Sequence, residues 1–282
     1  MSVVWQLAAN SARITCPAWN ATLDLQHPDR GLMLRLANSG GNLESSKASS
    51  PLQILAAKFG NEEPLVPAHI DAYVRGNDLI ASYDAAGSQQ IRVQIYWRCL
   101  TPAEFAPAAA DQVLAAFDLI FSMNTSLLDS EPKSQVRSVF SSECAMLHLK
   151  PSASKKFHPE QIQLPVASTA TEQGLVFTAA NQATGCFMVR REACPFSYVE
   201  MVHPNDFYRS SIVASSLPSP SQRPPAETNR IAIEHNLFPL RLEKGVILKA
   251  RVRSAVISRQ QDEATVVAAY QQFLSTELPL TA

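Results

Sequence analysis

The chain of 282 residues carries 24 Lys+Arg against 25 Asp+Glu, a formal net charge of −1, and is 46% hydrophobic but only 17% charged. That composition excludes a mostly disordered chain, and the balanced charge argues against a nucleic-acid binder, which would show a basic excess. A chain of this length buries a large core without disulfides or metals.

Period-2 alternation then runs from end to end. Ala21, Leu23 and Leu25 alternate with Thr22, Asp24 and Gln26; after the turn residues His27-Pro28-Asp29-Arg30-Gly31 the pattern resumes at Leu32, Leu34 and Leu36. Together they predict a hairpin with one buried face. Ser39–Ser50 reads as a loop, Leu52–Phe59 is ambiguous, and Ile70–Arg75 and Leu79–Tyr83 are strand candidates. Ile91–Arg98 is the cleanest strand: Ile91, Val93, Ile95 and Trp97 on one side, Arg92, Gln94, Tyr96 and Arg98 on the other. Ala108–Ala116 is a candidate short helix ahead of a strand over Phe117–Asn124. Further strands are expected at Leu175–Ala179, Cys186–Arg191, Phe196–Val202, Arg230–Phe238 and Val246–Arg253. Ser215–Asn229, with four prolines and four serines, predicts a long irregular excursion. Asp262–Thr276 is the one convincing helix: Val266, Val267, Tyr270, Phe273 and Leu274 share a face, and Asp262 and Glu263 suit its positive end. Strands this frequent with so few helices predict antiparallel sheets in a single all-β domain over residues 1–282.

The opening MSVVWQLAANSARITC lacks the basic and apolar regions of a signal peptide, and no run of apolar residues is long enough to span a membrane. Cys16, Cys99, Cys144, Cys186 and Cys194 are odd in number and scattered, which suits reduced thiols in a cytoplasm. The expected location is therefore cytoplasmic, without membrane or nucleic-acid partners. No dinucleotide, P-loop, nucleophile-elbow, zincin, CxxC-pair or EF-hand motif occurs. Cys186, Cys194 and His203 match no compact zinc spacing, so no metal or other cofactor is expected.

Two clusters carry acid–base chemistry. Glu200-Met201-Val202-His203-Pro204-Asn205-Asp206 ends a strand in a turn, and Glu234-His235-Asn236 lies within one. A carboxylate and an imidazole together can serve as general base and acid, but Glu234 and His235 face opposite sides of their strand. His235 falls with Ile231 and Ile233, where a hydrogen-bonded core histidine is the simpler assignment; His203, at a turn edge, is open to function. Polar strand faces mix Arg with Tyr: Asp71, Tyr73 and Arg75; Arg92, Gln94, Tyr96 and Arg98; Lys249, Arg251 and Arg253. Rings beside multi-donor side chains suit sugars, and the alternative is a solvated outer face.

The hairpin NATLDLQHPDRGLMLRL (Asn20–Leu36) and the late stretch LFPLRLEKGVILKARVRSAVI (Leu237–Ile257) resemble the galactose mutarotase-like superfamily, which includes aldose 1-epimerases. The resemblance implies two large antiparallel sheets packed face to face, with a C-terminal helix added. It also implies carbohydrate recognition, of an aldose or sugar phosphate, with mutarotase-type epimerisation by a Glu base and a His acid. The His-Gly context of those enzymes is absent here; His69 is nearest by position but lacks the Gly. On this basis the catalytic candidates are Glu234 (preferred base), Glu200 and His203 (acid), with Arg75, Tyr73, Arg92 and Tyr96 lining the sugar cleft. The rival from another class is a non-catalytic sandwich that serves as an interaction or assembly module. A third is a lyase or hydrolase domain for an anionic glycan, prompted by the Lys249, Arg251 and Arg253 row.

Overall fold

The structure is a computed structural model that describes residues 4–37, 51–59, 68–85, 90–141, 143–152, 156–163, 174–178, 184–191, 194–218, 227–238 and 241–277. Strands are numbered β1 to β18 along the chain. Sheet one has nine strands, in the spatial order β1 (Gln6–Ala8), β2 (Ser11–Cys16), β3 (Trp19–Asp24), β4 (Leu32–Leu36), β5 (Leu52–Phe59), β10 (Ser134–Ser141), β17 (Glu227–Leu237), β16 (Phe207–Pro218), β13 (Gly174–Thr178). Sheet two also has nine: β12 (Phe157–Ile162), β11 (Cys144–Pro151), β14 (Gly185–Arg191), β15 (Phe196–Val202), β18 (Leu248–Ser258), β9 (Val113–Thr125), β8 (Ile91–Cys99), β7 (Asp78–Ala85), β6 (Ala68–Arg75). Each strand pairs antiparallel with its neighbours.

The inner faces of the two sheets share one core. Leu23, Leu34, Val136, Ile231 and Ile233 of sheet one meet Leu79, Val93, Trp97, Phe121 and Val252 of sheet two. Trp19 and Phe117 pack edge to face between the sheets, with centroids 5.3 Å apart. The expected β3–β4 hairpin forms over the 3-10 turn Pro28–Arg30. Gly31 closes that turn at φ +65°, and a Cβ there would meet Ile54 O at 2.5 Å and Ala56 N at 2.7 Å. Glycine is required at this position on both counts.

A short helix, α1 (Pro102–Phe105), begins with a capping box between Thr101 and Glu104. The C-terminal helix α2 (Asp262–Ser275) lays Val266, Ala269, Tyr270 and Phe273 against Val199, Met201, Ala255 and Ile257 on the outer face of sheet two. Its first turn is tied down by Asp262, which accepts from Arg190 Nε at 2.9 Å, Arg190 Nη2 at 2.6 Å and Ser197 Oγ at 2.5 Å.

Some expectations are corrected, and open ones are resolved. Leu52–Phe59 is a strand. Ala108–Ala116 is not one helix: a 3-10 segment covers Pro107–Gln112, and β9 starts at Val113 because Ala115 and Ala116 already pair with Val256 and Ala255 of β18. The excursion is shorter than Ser215–Asn229, since the β16–β17 ladder continues through Ser215↔Arg230 to Pro218↔Glu227; residues 219–226 lie outside the described residues, as do residues 39–50. Arg251 and Arg253 are buried rather than solvated. All five cysteines are free thiols, and burial pushes the Cys144 thiol up to about 11 and the Cys99 thiol up to about 12. No described helix is long and apolar enough to cross a membrane.

Candidate functional site

Alternation in β10, β17 and β16 turns every second side chain to the outer face of sheet one. Cross-strand register sets these into two rows: Lys58–Gln135–Asn236–Arg209, and Arg137–Glu234–Ser211. Glu234 is the hub. Its Oε1 lies 3.2 Å from Arg137 Nε, and its Oε2 accepts from Gln135 Nε2 at 3.2 Å and Ser211 Oγ at 3.5 Å. The two charged side chains are only 15% and 22% exposed, so the carboxylate and guanidinium are partly desolvated and fixed by neighbours on three strands. Two residues further along the strands, about 7 Å away, a pocket of about 240 Å³ opens, lined by Lys58, Gln135, Tyr208, Asn236, Phe59 and Phe238 among others. Asn236 Nδ2 is buried there without a hydrogen-bond partner among the described residues. Tyr208 presents an exposed ring at the rim. Phe238, in the pocket wall, has φ +57°, a strained conformation for a non-glycine residue that clusters at functional sites.

Glu200 does not join this group. It points into the sandwich, fully buried, with Oε1 3.0 Å from Nε2 of the equally buried His235 of sheet one. Ser138 Oγ donates to Glu200 Oε2 at 2.5 Å, the Tyr198 hydroxyl also donates to that oxygen, and Ser210 Oγ lies 2.7 Å from His235 Nδ1. Burial first, and the adjacent Glu200 charge second, push the Tyr198 phenol well above its ordinary range. His235 is thus a hydrogen-bonded core histidine, and Glu200 is enclosed with it between the sheets.

The remaining candidates occupy the outer face of sheet two. Tyr73 is in a cross-strand row with Ile80, Tyr96, Ile120 and Arg251, and Arg75 in a row with Asp78, Arg98, Asp118 and Arg253. The second row alternates in charge, with bidentate pairs Arg98–Asp78 (2.6 and 2.8 Å) and Arg253–Asp118 (2.7 and 2.9 Å). Arg92 is exposed and paired with Asp84 at 3.2 Å. Tyr96, expected on a polar face, is on that face but buried with Ile80 and Ile120, its hydroxyl donating to Gln94 Oε1 at 2.5 Å. His203 sits beyond β15 with its ring 6.3 Å from that of Phe273, Nδ1 accepting from the Asn205 backbone at 3.2 Å. Arg251 lies over the same Phe273 ring and donates to Thr276 O at 2.9 Å, capping the C-terminal end of α2.

The seven site residues expected from sequence therefore separate into three places: Glu234 outside sheet one, Glu200 between the sheets, and His203, Arg75, Tyr73, Arg92 and Tyr96 outside sheet two. The structure does not bring Glu234 and His203 to one ligand, because their strands belong to opposite layers. Arg137 and Gln135, absent from the sequence candidates, contact Glu234 together with Ser211, and Asn236, named from sequence only as part of its cluster, lies two residues further along β17. The signal for the first two was the Gln135, Arg137 alternation in β10. Among the described residues no group of three His, Cys, Asp or Glu side chains could hold a metal ion.

No family model matches the chain, and no curated protein sequence matches it. Solved structures do. A GalM/aldose epimerase homologue from C. elegans superposes with a TM-score of 0.54 at 9% identity, over 87% of this chain and 98% of that chain. YeaD, a mutarotase candidate from Salmonella typhimurium, gives 0.49 at 8% identity over 92% and 95% of the two chains, and an aldose 1-epimerase candidate from Klebsiella pneumoniae gives 0.46 at 12% over 98% and 90%. The chain has the galactose mutarotase-like fold.

Proposed function

We propose that the protein recognises a carbohydrate on the outer face of sheet one, centred on Glu234 and Arg137. The carrying observation is the half-buried Glu234–Arg137 pair, flanked by the amides of Gln135 and Asn236, which also line a neighbouring pocket of about 240 Å³ rimmed by Tyr208. Sugar hydroxyls both donate and accept, and this row offers both: a carboxylate that accepts, guanidinium donors, and two amides that do either. The Tyr208 ring supplies an apolar face for a pyranose. The fold is the one found in the aldose epimerase homologue named above, which supports the choice of ligand class.

Two activities follow from that face. Binding needs only the row itself. Mutarotation needs a base at the anomeric hydroxyl, for which Glu234 is the candidate, and an acid at the ring oxygen. None of the six histidines is on this face: His235 points inward, His27 lies in the β3–β4 turn, and His69, His148, His158 and His203 belong to sheet two or its connections. That arrangement favours recognition over turnover. The test is a saturation-transfer NMR panel of neutral aldoses, uronic acids and hexose phosphates, followed by calorimetry of any hit and NMR of α/β interconversion. A binder should lose roughly 10-fold or more in affinity in Glu234→Gln, because hydrogen bonds to a charged acceptor are worth about 1.5–3 kcal/mol. No binding by any member of the panel would remove the proposal in favour of the interaction-module alternative.

A further inference from the structure

Among the described residues each sheet ends in two edge strands, and edge strands are pairing templates unless blunted. Three of the four described edges are blunted or give no register. β1 has three residues, β12 contains Pro159, which has no N–H to donate, and β13 carries no charged side chain. The fourth, β6, has eight residues without proline, and its continuous ladder with β7 runs from Asp71 to Arg75 beyond a bulge at His69/Asp71.

β6 also holds an unusual side-chain order. Asp71, Tyr73 and Arg75 share the outer face, and no described residue forms an ion pair with Asp71 or Arg75; Asp78, opposite Arg75, is engaged by Arg98. Apolar side chains cluster along the same flank. Ile70 and Tyr73 of β6, with Val4 and Leu7 of the neighbouring β1 segment, are between 41% and 50% exposed. The β1 segment is tied to this flank by Trp5 Nε1, which donates to Asn77 O at 3.2 Å.

We propose that this edge is a homodimer interface, in which β6 pairs antiparallel with β6 of a second copy about a twofold axis at Tyr73. The charge order selects both the partner and the register. Side chains on one face match only if paired residues have the same parity. Centred on Tyr73, Asp71 of each copy meets Arg75 of the other, Tyr73 meets Tyr73, and Ala72 meets Val74 on the inner face. Centred on Ala72, Asp71 would meet Tyr73; centred on Val74, Tyr73 would meet Arg75. Only the first satisfies both charges, and a twofold interface is self-complementary by construction. The two sheets then join into one continuous sheet, and the exposed Val4, Leu7 and Ile70 flank the seam. This interface is independent of the carbohydrate reading, since it uses the opposite layer from Glu234.

The test is sedimentation equilibrium of the full chain across the micromolar range. Wild type should associate reversibly to twice 30.8 kDa. Asp71→Arg and Arg75→Asp each turn two attractive cross-strand pairs into two repulsive ones, which should weaken the dimer about 10- to 100-fold. An equimolar mixture of those two variants restores every pair and should form a heterodimer that neither forms alone. The double variant carrying both substitutions should dimerise like wild type. Circular dichroism confirms that each variant is folded; if one is not, Tyr73→Lys, which sets two ammonium groups on the axis, replaces it and should be monomeric. A monomeric wild type, a dimer indifferent to the single substitutions, or a mixture that fails to recover association would each overturn the proposal.

Discussion

Asp118→Asn is the most informative stability perturbation the structure offers. Asp118 and Arg253 are both buried, and the carboxylate takes two hydrogen bonds from the guanidinium, at 2.7 and 2.9 Å. The amide keeps the shape but removes the charge, leaving Arg253 desolvated and without its counter-ion. Arg98 and Arg251 also feel the Asp118 charge, so the loss extends beyond one pair. Removing one partner of a buried ion pair costs about 3–5 kcal/mol. Unfolding entropy for 282 residues is about 0.6 kcal/mol/K, so the melting midpoint should fall by about 5–8 °C. The control is Asp84→Asn, whose partner Arg92 is exposed; that change should cost at most about 1 kcal/mol. Replacing the pair by Asp118→Leu with Arg253→Met should recover part of the loss, because two apolar groups leave no buried charge. Thermal and urea melts of the four proteins decide the matter. If Asp118→Asn melts within about 2 °C of Asp84→Asn, the pair is not desolvated as described and the argument fails.

Gly31→Ala should destabilise by more than about 2 kcal/mol in a urea melt, since it adds a positive-φ penalty to a backbone clash at 2.5 Å; an unchanged midpoint would show that the β3–β4 turn can relax. For Asp262, burial acts to raise the carboxyl, but the bonds from Arg190 and Ser197 outweigh it and hold it below its ordinary range. A depressed folded value means stability that is full above the unfolded carboxylate range and lost as pH falls through the folded one. Asp262→Asn should therefore flatten the acid limb of the stability profile, and a superimposable limb would contradict that. Glu234→Gln, beyond its loss of sugar affinity, should leave the melting midpoint within about 3 °C because its partner Arg137 still reaches solvent; a larger drop would mark the pair as structural.

The strands legible from sequence were those whose inner face is uniformly apolar. Ile91–Cys99, with Val93, Ile95 and Trp97 inward, is the clearest. β10 was not, because its inward positions are Ser134, Val136, Ser138 and Phe140, and two serines break the apolar period. Those serines are inward for a reason that lies elsewhere in the chain: Ser138 donates to Glu200 of the other sheet and accepts from Leu55 N, and Ser134 donates to Leu237 O. Because Arg137 stands on β10, the partner of Glu234 is hidden with that strand. The burial of Glu200 was partly visible, since it alternates with Tyr198 and Val202, but only long-range packing brings His235 against it. The overlong loop expectation followed composition: proline and serine dominate 215–229, yet Pro218 sits at the last ladder position of β16, where a missing N–H costs least.

Two broad apolar sheets laid face to face are free to slide, because the attraction between hydrocarbon surfaces has no preferred direction. The Glu200–His235 contact removes that freedom as a dowel does between two boards. A shift by one pleat would strand a carboxylate and an imidazole in hydrocarbon with no donors or acceptors in reach, a penalty of several kcal/mol per group. Because Glu234 and His235 are adjacent in β17 and face opposite ways, the same peg that aligns the layers also fixes the height at which Glu234 stands on the outer surface.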